Sequence, residues 1–447
     1  MKAASFSLFV IVFLIAPCVI AQDNPLIWRG SIESDQRLRL EDEQEWLWNE
    51  NRLDLQLEKR AMPLRIVGNV WLRHLGPSIT ETSSDLFLKD KVHPWSLDIR
   101  EAYVEVYGFL SDDLDLKVGR QQINWGTADR FNPTRTLNSP DLEDILDFGR
   151  MMGSDAISLQ WHFSHSTSLQ GVFVPLFRPA TLPLGAFSAL FAIQADLPEG
   201  ISIHKYSDNL LTPPNTLKDA SSFGLRLRSF LLNTDVSVSY VFGRNAIPVP
   251  SQAELTMVDH THVDMHATFI FPRHHVFGAD LAGSIGRVGV WAEAAVFIPE
   301  EEVTMLLIAP PMPEQQTPII EKEPYARFVV GGDYTFGQGT YLNLQYVHGF
   351  LHESGKGNLN DYLFLQAERS FRNNTIVVQP LSGGISIADR DNLEDNYALF
   401  YTPEIRFRGI DNLEVALGGF FFAGKGDHLF ASLKDKNMLR LFVKASF

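Results

Sequence analysis

Apolar and polar residues alternate one by one in segment after segment of this 447-residue chain. Leu53, Leu55 and Leu57 alternate with Arg52, Asp54, Gln56 and Glu58. Ala102, Val104 and Val106 alternate with Glu101, Tyr103, Glu105 and Tyr107, and Phe223, Leu225 and Leu227 with Arg226 and Arg228. A period of two puts successive side chains on opposite faces of a strand, so each segment has one apolar and one polar face. A soluble sandwich shows the same alternation with the apolar face inward. The joins separate the two cases. Very short joins, such as Ala61-Met62-Pro63, Ser111-Asp112-Asp113, Leu232-Asn233-Thr234, Gly286-Arg287 and Ile410-Asp411-Asn412, take turns with long ones at 77–95, 123–154, 178–219, 243–260 and 299–324. This rhythm predicts an all-β fold: a transmembrane antiparallel β-barrel of about 18 strands, with short periplasmic turns and long extracellular loops.

Composition agrees. Aromatic residues reach 11%, which excludes a disordered chain. After residue 21 no run approaches the ~20 apolar residues of a spanning helix. The net charge of −16 excludes a general nucleic-acid binder. Met1 to Ala21 reads as a cleaved secretory signal peptide: Lys2, an apolar stretch from Phe6 to Ile15, and the small residues Val19 and Ala21 before the cut. The sole cysteine, Cys18, falls inside it, and Pro17 argues against its being a lipidated first residue. Residues 22–447 then form a single barrel domain without disulfides or thiolate metal sites.

Closure follows from the solvent. Lipid offers no hydrogen-bond partners, so every spanning amide must be paired inside the protein. The apolar face is therefore expected to meet lipid, and the polar face to line a wet bore wide enough for a lumen. Between His260 and Ser284 the alternation runs too long for one crossing and is read as one strand protruding above the membrane. The last residues, Leu439, Leu441, Val443, Ala445 and Phe447, alternate with Arg440, Lys444 and Ser446. An apolar strand with a terminal aromatic resembles the membrane-insertion signal read by the barrel-assembly machinery, carried by Leu439, Leu441, Val443 and Phe447.

The run GRQQINWGTADRFNPTRTLNSPD (Gly119 to Asp141) resembles the core motif of alginate-export-type and related uncharacterised porins of Gram-negative outer membranes. So do SFGLRLRSFLLNTDVSVSYVFG, FPRHHVFGADLAGSIGRVGVWAEAAVF, FVVGGDYTFGQGTYLNLQYVHG and the terminal strand. The resemblance spreads over most of residues 22–447 with gaps in the loops. It implies an 18-stranded channel for passive movement of solutes. Alginate export itself calls for a strongly cationic lumen, whereas basic and acidic residues are mixed here. The expectation is a porin-like outer-membrane channel for diffusion or export of small polar or anionic solutes. The alternatives are a barrel with an enzymatic or adhesive role, or a polysaccharide export pore. Expected partners are outer-membrane lipid and lipopolysaccharide, the assembly machinery and a small solute or oligosaccharide. No cofactor is expected.

The best functional candidate is the segment 123–154, read as a loop folded inward to constrict the bore. Arg120, Arg130 and Arg135 are interspersed there with Trp125 and Asp129, and Glu101 and Glu105 stand nearby on the wall. Charges on such a constriction set ion and solute preference. Arg65, Arg73, Arg226, Arg228, Arg406, Arg408 and Arg440 also fall on lumen faces, with Asp54, Glu58, Asp115, Glu293, Asp333 and Glu404 on comparable ones. Salt-bridged filling of the wall is the favoured account of these. His260, His262, Asp264 and His266 share one face of a strand, a spacing that lets alternate imidazoles converge on Zn²⁺ or Cu²⁺. A lumen-facing strand needs polar residues at those places anyway. Catalytic motifs are absent: no Gly-x-Ser-x-Gly, phosphate loop or His-Glu-x-x-His occurs. The nearest approach to a catalytic cluster is His348 and His352 near Asp361, so no enzyme is expected.

Overall fold

The computed structural model describes residues 25–40, 44–80, 82–184, 187, 200–310, 313–337, 339–426 and 429–447. The expected signal peptide, with Cys18, lies outside the described residues. In chain order the strands begin with β1 (Ile27–Arg39), β2 (Trp46–Ala61), β3 (Leu64–Gly76), β4 (Trp95–Val106), β5 (Leu114–Gln121), β6 (Ser154–His162), β7 (Thr167–Val174) and β8 (Ser202–Leu211). They continue with β9 (Ser222–Leu231), β10 (Thr234–Arg244), β11 (Val249–Met257), β12 (His262–Ile270), β13 (Arg273–Ile285), β14 (Val288–Pro299), β15 (Val303–Ile308) and β16 (Gln315–Ile320). The last are β17 (Tyr325–Phe336), β18 (Thr340–His348), β19 (Asp361–Phe371), β20 (Ile376–Ile387), β21 (Tyr397–Tyr401), β22 (Glu404–Ile410), β23 (Leu413–Lys425) and β24 (Met438–Ser446).

Among the described residues, eighteen antiparallel staves close into one barrel. Each stave pairs with its neighbours in chain order, and β24 returns to β1 with Ser31 opposite Ser446. One stave is split into β21 and β22, which pair in turn with β20 and β23. Thr402 and Pro403 lie in the gap, and Pro403 has no N–H to give a ladder. The termini of β1 and β24 and all the short turns gather at one end. Leu232 and Asn233 both have positive φ (50° and 65°), the geometry a two-residue hairpin with the strands' own twist requires.

The alternation resolves as an outward apolar and an inward polar face on most staves. Val238 is 57% exposed and its neighbour Ser237 5%; Leu344 is 48% exposed and Gln345 3%. Leu225, Leu227, Phe277, Leu281, Leu439 and Leu441 all lie on the bare outer surface. Arg226 points in, onto Ser237 Oγ (2.9 Å) and Asp280 (3.3 Å).

Two expectations need correction. First, 260–284 is not one protruding strand. Barrel stave β13 starts at Arg273, after Phe271-Pro272. β12 belongs instead to a separate five-stranded sheet, β16–β15–β11–β12–β8, built from the long joins at the end opposite the turns. β11 and β12 add a pair of crossings outside the barrel, so the parity of later staves is kept. Second, the interior is not wet throughout. Phe131 stacks on Phe364 at 4.6 Å and Phe400 on Phe430 at 4.7 Å, within a buried cluster that includes Phe350, Tyr362 and Phe422. Staves β17 to β23 place apolar residues on both faces there, because loops folded into the bore bring phenylalanines that must be buried. Several aromatic residues of the staves also face inward, among them Tyr341, Phe420 and Phe422. Tyr341 donates to Asp333 (3.1 Å), and Phe420 and Phe422 pack in the internal cluster, whereas Tyr401 and Phe421 pair on the outside.

Candidate functional site: a loop across the bore

The join between β5 and β6, residues 122–153, is tied to opposite walls of the barrel. Its first half rests on one carboxylate. Glu293 of β14 is 2% exposed. Its Oε2 accepts from Thr127 N (3.0 Å), Ala128 N (3.1 Å) and Asn132 Nδ2 (3.0 Å), and its Oε1 from Thr134 N (2.9 Å) and Thr134 Oγ1 (2.8 Å). Buried backbone donors of an irregular segment need such partners. Gly126 is required for this approach, because a Cβ there would come within 2.5 Å of a Glu293 oxygen at a φ of +93°. Trp125 is buried and donates Nε1 to Gln170 Oε1 of β7 (2.8 Å). Its ring lies on β9 where Gly224 leaves room; a Cβ there would be 2.7 Å from the ring. Gln345 Nε2 of β18 donates to the Asp129 carbonyl (3.2 Å).

The second half is held by arginines of the opposite wall. Arg37 of β1 grips Asp144 with both terminal nitrogens (2.8 and 2.5 Å). Arg73 of β3 bonds Glu50 (2.7 Å), Asp98 (3.2 Å) and the loop's Glu143. Arg100 of β4 donates to Asp141 (2.7 Å), which also accepts from Arg150 (2.9 Å). Arg52 and Arg100 each lie 4.2 Å from the Trp71 ring. Burial works to raise the Asp141 carboxyl, but Arg150 and Arg100 outweigh it and hold it at about 2. Asp144 is likewise depressed, burial being outweighed by Arg37. Asp147 goes the other way: its side chain is half exposed to the bore, yet the protein crowded around it and the nearby Asp144 raise it, and Arg150, 3.7 Å away, offsets this only in part.

Two cavities flank the loop. The inner one, of about 500 Å³, lies against β1, β2 and β20 to β24. Its lining mixes Glu33, Asp35, Glu50 and Glu404 with Arg37, Arg52, Arg406 and Arg440. The outer one, of about 50 Å³, lies against β17 and β18 and is walled by phenylalanines. Arg130, Asp144 and Asp147 line both, so they form the neck between the cavities. Arg130 is exposed, has a φ of +65° and makes no hydrogen bond or ion pair among the described residues. Gly149 lies beneath it, where a Cβ would meet the Arg130 carbonyl at 2.6 Å.

Of the residues singled out in the sequence, Arg130 stands in the neck and Trp125, Asp129 and Arg135 on the same loop. Arg120 is on the wall, bidentate to Asp155 (2.9 and 3.2 Å). Glu101 accepts from Gln122 N (3.1 Å), and Glu105 from Arg65 and Tyr107 (both 3.0 Å). Arg226 is paired as described, and Arg228 bonds Asp235 (2.7 Å) near the turns, far from the loop. The other lumen arginines are also ion-paired: Arg65 to Glu58, Arg406 to Glu368, Arg408 to Glu414 and Arg440 to Asp35.

The four residues read as metal ligands do not come together. His260 sits in the turn before β12, and β12 is in the outer sheet, not the lumen. His262 bonds Asp259 (2.8 Å), Asp264 bonds His204 (2.9 Å) and His266 bonds Ser207 (2.9 Å). Among the described residues no group of three or more His, Cys, Asp or Glu is placed to hold a metal ion. His348 bonds Asp361 (2.8 Å), which Arg390 also grips (2.7 Å), on the outer rim. Leu439 and Leu441 of the terminal strand face outward, and Phe447 pairs with Gly30 and packs edge-on against Trp28. The sequence did not single out Glu293, Asp144 or Asp147 as determinants of the loop; each is one acid among many until the wall opposite it is known.

Two solved structures illustrate what the chain is similar to. OmpF of Salmonella typhi in complex with daunomycin aligns over 95% of this chain and 98% of its own, at 9% identity and a TM-score of 0.42. OmpT of Vibrio cholerae with loop L8 deleted aligns over 95% and 100%, at 11% identity and a TM-score of 0.43. No curated protein matches the chain. Residues 89–297, which contain the loop and its Glu293 anchor, match the model of a family described as protein of unknown function (DUF1302).

Proposed function

We propose that the chain is a passive outer-membrane channel for small polar or anionic solutes, and that the segment 123–154 is its constriction. It acts as a conduit and carries out no chemistry of its own. In this reading residues 1–21 are removed during export, the outer apolar belt meets lipid, and lipopolysaccharide surrounds the outer rim. The observation that carries the proposal is the neck: one loop, fixed to facing walls, separates two cavities through Arg130, Asp144 and Asp147. Asp144 is neutralised by Arg37, which leaves Arg130 and Asp147 to set the local field. Export of a long polyanion is less well served, because most lumen arginines are ion-paired and three without a carboxylate partner among the described residues, Arg130, Arg135 and Arg327, gather at one cavity and form no continuous cationic track.

Planar-bilayer recording of the refolded protein tests this. Discrete conductance steps are expected, with a reversal potential in asymmetric salt that reports ion preference. One charge at ~4 Å in water is worth about 1 kcal/mol, so Arg130→Ala is expected to move the permeability ratio toward cations about fivefold. A silent barrel, or an Arg130→Ala channel with unchanged preference, overturns the assignment.

A further inference from the structure

The outer cavity holds more positive charge than its surroundings neutralise. Arg130, Arg135 and Arg327 all line it, and none has a carboxylate within ion-pair distance among the described residues. Arg135 gives one nitrogen to Gln122 Oε1 (2.8 Å). Arg327 reaches the Leu351 carbonyl (3.3 Å), the Glu353 carbonyl and Ser354 Oγ (3.2 Å). The Nε atoms of Arg135 and Arg327 are buried without partners. Of the two acids on the lining, Asp144 is committed to Arg37, and Asp147, 3.7 Å from Arg150, cannot balance three arginines. Buried guanidinium atoms without a carboxylate partner, as on Arg135 and Arg327, are costly, and an anion relieves that cost.

The walls and the size narrow the anion. Phe131, Phe148, Val347 and Phe350 supply apolar faces, so the ligand gains by carrying a hydrocarbon part. The free volume is about 50 Å³. A cavity that takes benzene is about 150 Å³. We infer that this chamber is a binding site for a short-chain aliphatic monocarboxylate of about two or three carbons, its carboxylate on Arg135 and Arg130 and its alkyl end on the phenylalanines. The inference deepens the channel reading, since the chamber opens onto the outer side of the neck and loads solute for passage.

Equilibrium titration calorimetry of the folded barrel in detergent with sodium propionate tests the site without reference to conduction. Saturable binding is expected, at least about tenfold tighter than that of chloride or formate, with benzoate excluded by size. Arg135→Gln is expected to weaken propionate about tenfold or more. Arg130→Gln, at an exposed position without partners, provides a second variant should Arg135→Gln fail to fold. No saturable propionate binding, equal binding of benzoate, or wild-type affinity in a folded variant overturns the inference. Intact propionate binding by a barrel that is silent in bilayers would instead sink the channel reading and leave the site standing.

Discussion

Replacing Glu293 with Gln should release the first half of the constriction loop while leaving the barrel closed. Five hydrogen bonds converge on this one carboxylate, three on Oε2 and two on Oε1. Bonds to an ionised acceptor contribute about 1.5–3 kcal/mol each taken singly, and they do not add in a shared network. The amide keeps one acceptor and turns the other position into a donor facing donors. Breaking one side of a buried charged cluster typically costs about 3–5 kcal/mol. That shifts the docked-to-released ratio of residues 123–137 by about two to four powers of ten. The second half stays tethered through Arg37, Arg73 and Arg100 on staves the substitution does not touch. The expected readout is a larger and noisier single-channel conductance, with new tryptic cleavage after Arg130 and Arg135. Heat-dependent gel mobility of the folded barrel should be retained. Wild-type conductance together with wild-type trypsin resistance in folded Glu293→Gln would refute the reasoning.

Two further outcomes follow from the charges. Asp147 has a raised carboxyl pKa while Asp141 and Asp144 are held low, so on acidification from neutral pH Asp147 takes up its proton before them. The groups facing it are Asp144, Arg150, Arg52 and Arg37, and the neck therefore gains positive charge as pH falls; anion preference should rise on acidification, before Asp141 and Asp144 are protonated. Asp147→Asn should show that higher preference already at neutral pH and lose the pH dependence; reversal potentials at several pH values decide this. Arg120→Ala should leave ion preference within about twofold of wild type, because Asp155 already neutralises Arg120 and the pair stands on the wall. A shift as large as that expected for Arg130→Ala would place Arg120 at the constriction after all.

The barrel was legible because its two signals are local. In Phe223, Leu225 and Leu227 the alternation alone assigns the lipid face, and Leu232-Asn233 alone assigns the turn. The outer sheet was hidden because β12 alternates as a barrel strand does. Only the break at Phe271-Pro272 marks the change of sheet, and a proline within a polar stretch ahead of His274 and His275 equally suits a kink within one strand. The dry aromatic zone was hidden for a related reason. Phe364 and Phe400 are apolar residues in apolar-rich strands, and nothing local says that their inward neighbours are loop phenylalanines more than 200 residues away in sequence. At the site, residue type pointed to the loop but could not rank its arginines. Arg120 and Arg130 differ only in what faces them: Asp155 meets the first and open space the second. Glu293 lies 159 residues from Thr134, so their bond belongs to the closed barrel and not to any stretch of sequence.

The face of each stave that meets lipid separates a membrane barrel from a soluble β-fold. Cys18 is the sole cysteine of the sequence, so in a Cys18→Ser background single cysteines placed in turn at Phe223, Gly224, Leu225, Arg226 and Leu227 of β9 can be read without background labelling. In liposomes, a bilayer-confined quencher should reach a fluorophore at 223, 225 and 227, and a water-soluble thiol reagent should modify position 226 more readily than its neighbours. The reverse pattern, with 226 in lipid and the odd positions shielded from it, would contradict the barrel and everything derived from it.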